Sequence, residues 1–402
     1  MRILQLSNKL PYPPRDGGAL ATLNMALGLA DAGLRVHNHA MNTSRHFFPV
    51  SSIPENLRQK IHFSATPVDT DIKPLPALLA LLKNESYNLV RFQKREFETD
   101  LKNILKTEEA FDAFILEGLY LCPYIPLLRK HSRAPILFRA HNIEHRIWER
   151  RADHEKSAVK KWYLKKLAGQ LKAAEEKLPG LADAIIPISP IDAEWFSQKF
   201  PDKTQFVYPA GITRFANRDN INKVNRKSLC FIGALDWYPN IEGLNWFLEK
   251  VWPDLIEKDP EITLHVAGRN MPDSLKKRSF TGVSFYGEVP DSKEFIQDHH
   301  VVIAPLFSGS GMRVKIVEAM ALGKAVITTD VGREGLALTP EEHFMLANTP
   351  ETFADAILKL TQNDDLGEKI RLNAWLFARD NFHLHTITEG LVLFIQNQKL
   401  SL

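Results

Sequence analysis

An α/β protein of two doubly wound parallel-sheet domains is what this sequence predicts, on three observations. The chain of 402 residues exceeds the usual limit of one hydrophobic core. Short apolar runs alternate with helical patterns in both halves. Polar turns, most of them bearing glycine, follow those runs, and a parallel sheet gathers such turns at one edge, where ligands collect.

Composition narrows the class. Apolar residues make up 44% and charged residues 25%, the balance of a folded globular protein. A net charge of +3 is too weak to indicate a nucleic-acid partner. Residues 139–177 are locally basic, with 11 Lys/Arg against 6 Asp/Glu. This stretch is read either as a solvated helical face or as a peripheral contact with anionic lipid. Cys122 and Cys230 have no CxxC or Cys/His spacing, so neither a disulfide framework nor a metal site is expected, and the setting is read as cytoplasmic. Met1-Arg-Ile-Leu-Gln-Leu6 lacks the apolar core of a signal peptide, and the run 75–82 is too short to cross a bilayer.

Arg2 to Leu6 reads as a strand. A proline-rich loop ending in Gly17-Gly18 follows, then an amphipathic helix from Ala19 to Asp31 and a strand from Leu34 to Ala40. Residues 43–110 are mixed, with helical patterns at 75–83 and 92–106. A strand from Asp112 to Glu117, a helix from Tyr120 to His131 and a strand from Pro135 to Arg139 come next, the last delivering Ala140-His-Asn-Ile-Glu144 at its carboxyl end. A long helical region is expected from Ile147 to Lys177, then a strand at 184–188. Residues 207–227 read as an interdomain linker.

The second half repeats the alternation. Strand Ser228 to Ile232 leads to Gly233-Ala-Leu-Asp-Trp237 and a helix from Ile241 to Ile256, while the strands at 262–267 and 283–286 end at Gly268 and Gly287. The strand from Val301 to Leu306 opens into Ser308-Gly-Ser-Gly-Met-Arg-Val-Lys-Ile-Val-Glu318, a glycine turn entering a short helix, and the next strand runs from Ala325 to Thr329. Such a turn offers free N–H groups and a positive dipole end to an anion. Lys315 and Glu318, three residues apart, share a helix face: a cation for phosphate beside a carboxylate for hydroxyls. An exposed helical ion pair is the competing reading. Two other phosphate motifs fail. Gly323-Lys324 is followed by Ala325 and has no glycine five residues earlier, and Gly309-Ser-Gly311 has Val314 where a third Rossmann glycine belongs.

The stretch 310–331, with Pro14-Arg-Asp-Gly-Gly18 and the two-domain alternation, resembles the retaining nucleotide-sugar glycosyltransferases of family 4. The resemblance implies a GT-B fold, with two Rossmann-like domains facing across a cleft. Residues 1–210, with a last helix at about 382–402 packing back, would form the acceptor side, and 211–381 the nucleotide-sugar side. It implies that Glu318 accepts hydrogen bonds from the ribose hydroxyls and that His141 reaches the transferred sugar. Gly17 and Gly18 would approach the diphosphate or acceptor, while the loops at Gly268 and Gly287 would flank the nucleobase. Two positions depart from the family pattern. Ser310 stands where the first of the paired glutamates falls, its hydroxyl and the Gly309 and Gly311 amides being the substitutes, and the loop at Gly233 lacks the arginine and lysine used for the diphosphate. Arg313 and Lys315 are the expected replacements. The bland alternatives are a helix-capping role for His141 and a tight turn for Gly17-Gly18.

The resulting expectation is a metal-independent retaining hexosyltransferase without a bound cofactor, using a nucleoside-diphosphate sugar and an unidentified acceptor hydroxyl in cell-envelope or polysaccharide synthesis, at the inner face of the membrane. A nucleotide-sugar epimerase and a non-catalytic sugar-nucleotide-binding subunit are the alternatives.

Overall fold

The computed structural model describes residues 1–217, 225–309 and 312–400. It divides into two compact units: Met1–Gly211 with Leu384–Leu402, and Ile212–His383.

Unit 1 is built on seven strands: β1 (Arg2–Ser7), β2 (Arg35–Thr43), β3 (Ile61–Val68), β4 (Ala113–Glu117), β5 (Ile136–Ala140), β6 (Ala184–Pro187) and β7 (Thr204–Gln205). Their order is β3-β2-β1-β4-β5-β6-β7, and the pairings are parallel. Unit 2 has six: β8 (Ser228–Ile232), β9 (Thr263–Ala267), β10 (Val283–Gly287), β11 (Val301–Ala304), β12 (Ala325–Thr328) and β13 (Met345–Leu346), ordered β10-β9-β8-β11-β12-β13 and again parallel. Helices cover both faces, which is why the central strands read as continuous apolar runs rather than alternating ones: every residue of β4, β5, β8, β11 and β12 is buried. Burying each of the side chains Phe114, Leu116, Phe138, Phe231 and Ile303 contributes about 1.5–3 kcal/mol.

Strand order reverses between β1 and β4 in unit 1, and between β8 and β11 in unit 2. Successive crossovers leave on opposite sides at these two switch points, opening a crevice at the carboxyl ends of the strands.

Several expected elements differ. β3 falls within residues 43–110, read from the sequence as mixed, with helical patterns and no strand assigned. Its partner β2 covers one edge, and Pro67 is tolerated because β3 has no neighbour on the other. Gly17 and Gly18 do not precede the first helix but form its first turn, capped by Asp16, whose Oδ1 accepts from Ala19 N at 2.9 Å. That helix, Gly17–Asp31, is mostly buried rather than amphipathic, because Leu384–Leu400 packs over it. The contact is close: a Cβ on Gly28 would stand 2.4 Å from Thr388 Oγ1. The helix expected from Tyr120 begins as a 3₁₀ stretch, Leu119–Tyr124, with the true helix at Ile125–His131, after Pro123. The basic region splits into two helices, Glu144–His154 and Ala158–Glu175. The helix at 241–256 is Tyr238–Trp246, a π turn at Phe247–Val251, and Trp252–Lys258 with Pro253 in its first turn. Of the expected linker, residues 218–224 lie outside the described residues, and Arg214 is paired with Asp291 within unit 2 at 2.9 Å.

Candidate functional site

In unit 2 the groups named from sequence gather at the switch point. The turn after β11 runs through Ser308 and Gly309, whose φ of +99° favours glycine; a Cβ there would stand 3.2 Å from Arg313 Nη2 and 3.3 Å from the Trp237 ring. Arg313 caps the helix Val314–Ala321, and its buried guanidinium lies 5.9 Å from the Trp237 ring centroid. Lys315, in the first turn, reaches across the switch point to the first turn of the helix Tyr238–Trp246 that follows β8. Its Nζ donates to Asn240 Oδ1 at 2.8 Å and stands 5.0 Å from the Phe231 ring centroid. A second link spans the same gap, Ser308 Oγ donating to Glu242 Oε2 at 2.6 Å. Gly243 makes the approach possible, since a Cβ there would lie 1.6 Å from the Pro305 carbonyl oxygen.

The electrostatics of this cluster are unfavourable as it stands. Burial, helped by Arg313, pushes the Lys315 ammonium down to about 7. Burial also pushes the half-buried Glu318 carboxyl up, and that carboxylate takes no hydrogen bond among the described residues. Lys315 and Glu318 share a face as expected, yet Lys315 turns to Asn240, and no ion pair between the two is formed. Gly233, Gly268 and Gly287 sit side by side at the ends of β8, β9 and β10. Gly268 N donates to Gly287 O at 2.7 Å, and a Cβ on Gly268 would strike the Gly233 carbonyl oxygen at 1.8 Å. Ser310 and Gly311 lie outside the described residues.

Unit 1 carries a different cluster at its own switch point. His141, just beyond β5, donates through Nε2 to Glu117 Oε2 at 2.7 Å. Although burial opposes its ionisation, Arg139 and His141 hold Glu117 down to about 2. Gln5 Nε2 donates to Glu117 Oε1 at 2.6 Å, Thr22 Oγ1 to Oε2 at 3.2 Å, and Arg139 Nη1 stands 3.4 Å from Oε1. Arg139 is fully buried under the Tyr208 ring, 5.0 Å from its centroid. With Nε2 engaged, His141 keeps a buried Nδ1 without a partner among the described residues. Close by, Tyr120 donates to Glu144 Oε2 at 3.0 Å, and burial together with Glu175 pushes Glu144 up to about 7. Gly17 is exposed, and a Cβ there would touch nothing within 4 Å.

Sequence reasoning named His141 without its partners Glu117 and Arg139. A signal existed: each is a lone charge in an otherwise apolar strand, Ala113–Glu117 and Ile136–Ala140, and charges in such strands are paired when buried. Asn240 had no comparable signal, because its role depends on where Lys315 arrives.

Residues 226–363 match the family Glycosyl transferases group 1. The chain is 22% identical, over 95% of its length and 96% of the relative, to an uncharacterised 44.6 kDa protein of the Klebsiella pneumoniae cps region. It is 25% identical to a phosphatidyl-myo-inositol mannosyltransferase of Mycobacterium tuberculosis, over 53% of this chain and 58% of that one. The crystal structure of Anabaena HepE in complex with UDP superposes with a TM-score of 0.68 at 14% identity, covering 99% of this chain and all of the other. The two parallel α/β units are those of the GT-B fold.

Proposed function

With residues 226–363 forming a domain of the glycosyl transferases group 1 family, we propose that this chain moves a hexose from a nucleoside-diphosphate sugar to an acceptor hydroxyl, with retention at the anomeric carbon. The observation that carries the reading is Lys315 at the unit 2 switch point, held against Asn240 and destabilised as a cation until an anion joins it. The β8 loop lacks the basic residues the family uses for the diphosphate, and Lys315 and Arg313 bring charge to the same place from the β11 side.

In the proposed reaction the bond between the anomeric carbon and the β-phosphate oxygen breaks while the acceptor oxygen bonds to the same face. The acceptor proton passes to a β-phosphate oxygen, leaving a nucleoside diphosphate and the glycoside. Lys315, Arg313 and the amides of the glycine turn stabilise the negative charge that builds on the leaving group. Glu318 accepts from the ribose hydroxyls, the loops at Gly268 and Gly287 flank the base, and the loop at Gly233 lies at the diphosphate. Gly309, Ser310 and Gly311 contact diphosphate and sugar. His141, braced by Glu117, is assigned to the transferred sugar, and Gly17-Gly18 to an approaching ligand, since no packing in the chain requires the missing Cβ at Gly17. The step uses no metal and no bound cofactor.

The acceptor is proposed to lie at an anionic membrane surface. Among the described residues no helix is long and apolar enough to cross a membrane. Helix Pro74–Leu82 instead exposes Leu75, Leu78, Leu79 and Leu82 at i, i+3, i+4 and i+7, between Lys73 and Lys83. It packs on helix Tyr87–Val90, which packs on Ala158–Glu175, where Val159 and Trp162 stand exposed among Lys160, Lys161, Lys165 and Lys166. Sedimentation with anionic vesicles, lost on neutral ones and in Leu78→Glu/Leu82→Glu, is the expected behaviour; equal recovery on both vesicle types removes this part.

Uridine diphosphate, the nucleotide in the HepE structure, heads the panel for thermal stabilisation; a ligand at a hundredfold its Kd adds about 2.7 kcal/mol. Wild-type binding and turnover in both Lys315→Ala and Glu318→Ala would sink the assignment. Epimerised donor without an acceptor points to the epimerase, and tight binding without sugar release across a broad panel points to a non-catalytic subunit.

A further inference from the structure

A second cluster lies at the opposite, amino-terminal edge of the unit 1 sheet, and the nucleotide reading does not use it. Side chains on one face of β2 and β3 form a continuous hydrogen-bonded row. Asp100 Oδ2 meets Thr66 Oγ1 at 2.7 Å, and Thr66 Oγ1 meets His39 Nε2 at 3.3 Å. His39 Nδ1 meets Ser64 Oγ at 2.8 Å, and Ser64 Oγ meets His37 Nε2 at 2.6 Å. His37 Nδ1 ends the row 3.1 Å from Glu108 Oε1 and 3.2 Å from Oε2.

Protons run along this row in either of two orientations, the first of which keeps every contact within it. A carboxylate only accepts, so the Thr66 hydroxyl proton goes to Asp100, and Thr66 oxygen accepts from His39 Nε2–H. A neutral imidazole then has a lone pair at Nδ1, which takes the Ser64 hydroxyl proton. Ser64 oxygen in turn accepts from His37 Nε2–H. What remains at His37 Nδ1 is a lone pair facing the oxygens of Glu108. In the second orientation Thr66 still donates to Asp100, while His39 Nδ1–H donates to Ser64, Ser64 to His37 Nε2, and His37 Nδ1–H to Glu108, so that only the 3.3 Å contact of His39 with Thr66 is given up.

In both orientations His37 Nδ1 faces the Glu108 oxygens, a gap bridged either by the Nδ1 proton or by a metal ion that displaces it. We propose that His37 Nδ1, Glu108 and His62 form a zinc-class divalent metal site. The ligand atoms of these three residues lie within 4.8 Å of one another. Nitrogen and oxygen ligands about 2.0–2.2 Å from zinc stand roughly 3.3–3.6 Å apart in a tetrahedron, and His37 Nδ1 stands 3.1–3.2 Å from the Glu108 oxygens. The neighbours are those a metal site needs. Ser64 fixes the His37 tautomer from its far nitrogen, and Arg2 holds Glu108 from outside. The exposed His62 ring, 4.1 Å from that of His37 centroid to centroid, has room to turn inward. A cavity of about 530 Å³ lined by His37 and His62 provides entry and space for a water as fourth ligand. Of its basic residues, Arg35, Arg58 and Lys60 are paired with Glu109, Glu55 and Asp31, and Arg2 with Glu108 itself. At the amino-terminal edge of the sheet, the metal would tie β2 and β3 to the segment entering β4 and take no part in sugar transfer.

The test uses the full chain, untagged and stripped of metal, titrated with zinc and separately with cobalt(II). One equivalent is expected to bind at micromolar metal, with a rise in Tm and the visible bands of tetrahedral cobalt. His62→Ala and Glu108→Gln should each weaken uptake by at least about tenfold while keeping the wild-type circular dichroism; neither depends on the buried His37 surviving replacement. No saturable uptake, or uptake unchanged in both variants, overturns the proposal. So does nitrogen-15 NMR showing His37 Nδ1 protonated at neutral pH with zinc present, which would mean that a proton, not a metal, resolves the contact. These readouts are independent of nucleotide binding, so this inference and the glycosyltransferase reading fail separately.

Discussion

The two switch points carry similar residue types and treat them oppositely. In unit 1 the central carboxylate is satisfied internally: Glu117 accepts from Gln5, Thr22 and His141 beside Arg139, and is held ionised at about 2. In unit 2 the charges are under tension, with Lys315 pushed down to about 7 and Glu318 pushed up. The first arrangement is a finished scaffold that orients one imidazole. On the proposed function, an anionic, hydroxyl-bearing ligand completes the second. Buried charge therefore has two signatures, and only the second marks where binding energy is to be gained.

The largest effect should come from breaking the finished side. Glu117→Gln leaves Arg139 buried without its carboxylate and is expected to lower stability by roughly 3–5 kcal/mol, measured by urea unfolding. The pH dependence follows from the lowered folded pKa. Glu117 contributes stability that is complete above about 4.5, its usual value, and is lost as the pH falls towards about 2; the variant should lack that part of the acid transition.

Lys315→Ala should weaken nucleoside diphosphate binding by about 1.5–3 kcal/mol in calorimetry, with the fold still intact. A depressed lysine pKa also fixes a sign: the unfolded chain binds more protons than the folded one between about 7 and 10.5, so the stability of the ligand-free protein contributed by Lys315 rises with pH across that window. A bound diphosphate returns the proton. Binding near pH 8 should therefore take up protons, seen as a dependence of the calorimetric heat on buffer ionisation enthalpy, and Lys315→Met should abolish it.

A smaller loss separates the two ligand contacts in unit 2. Glu318→Gln should weaken nucleoside diphosphates by about 0.5–1.5 kcal/mol and leave inorganic pyrophosphate unchanged, whereas Lys315→Ala weakens both. Equal losses for both ligands in Glu318→Gln would remove the ribose role. The smallest change in stability belongs to Gly17→Ala, which should stabilise the chain by about 0.4–1 kcal/mol, because the helical first turn accepts alanine and nothing stands in its way. Turnover should nevertheless fall; unchanged turnover would return Gly17 to a purely local role.

Fold class was legible because parallel strands covered on both faces leave unmistakable apolar runs, such as Phe114-Ile-Leu116 and Val301-Val-Ile303. β3 was not, since Ile61–Val68 alternates buried and exposed positions and carries Pro67, the pattern of an edge whose partner cannot be read locally. The grouping of Lys315, Arg313 and Gly309 was legible because all three lie close together in the sequence. Partners from other strands were hidden. Asn240 is 75 residues from Lys315, and Gln5 is 112 from Glu117, so only the closed sheet reveals the contact. His37, His39, His62 and Ser64 escaped for the same reason: their alternation along two strands becomes a row only once β2 and β3 pair in register, with His37 opposite His62 and His39 opposite Ser64.

The last helix, Leu384–Leu400, belongs to the unit in which the chain begins, and Ile212 N donates to Phe382 O at 2.7 Å where the chain enters and leaves unit 2. Unit 2 is thus a cassette spliced into a host, its two junctions side by side. Inserts with adjacent ends can be exchanged or permuted with little disturbance to the host, so the corresponding unit of a related protein can be transplanted at residues 212 and 383 while unit 1 and the final helix stay native.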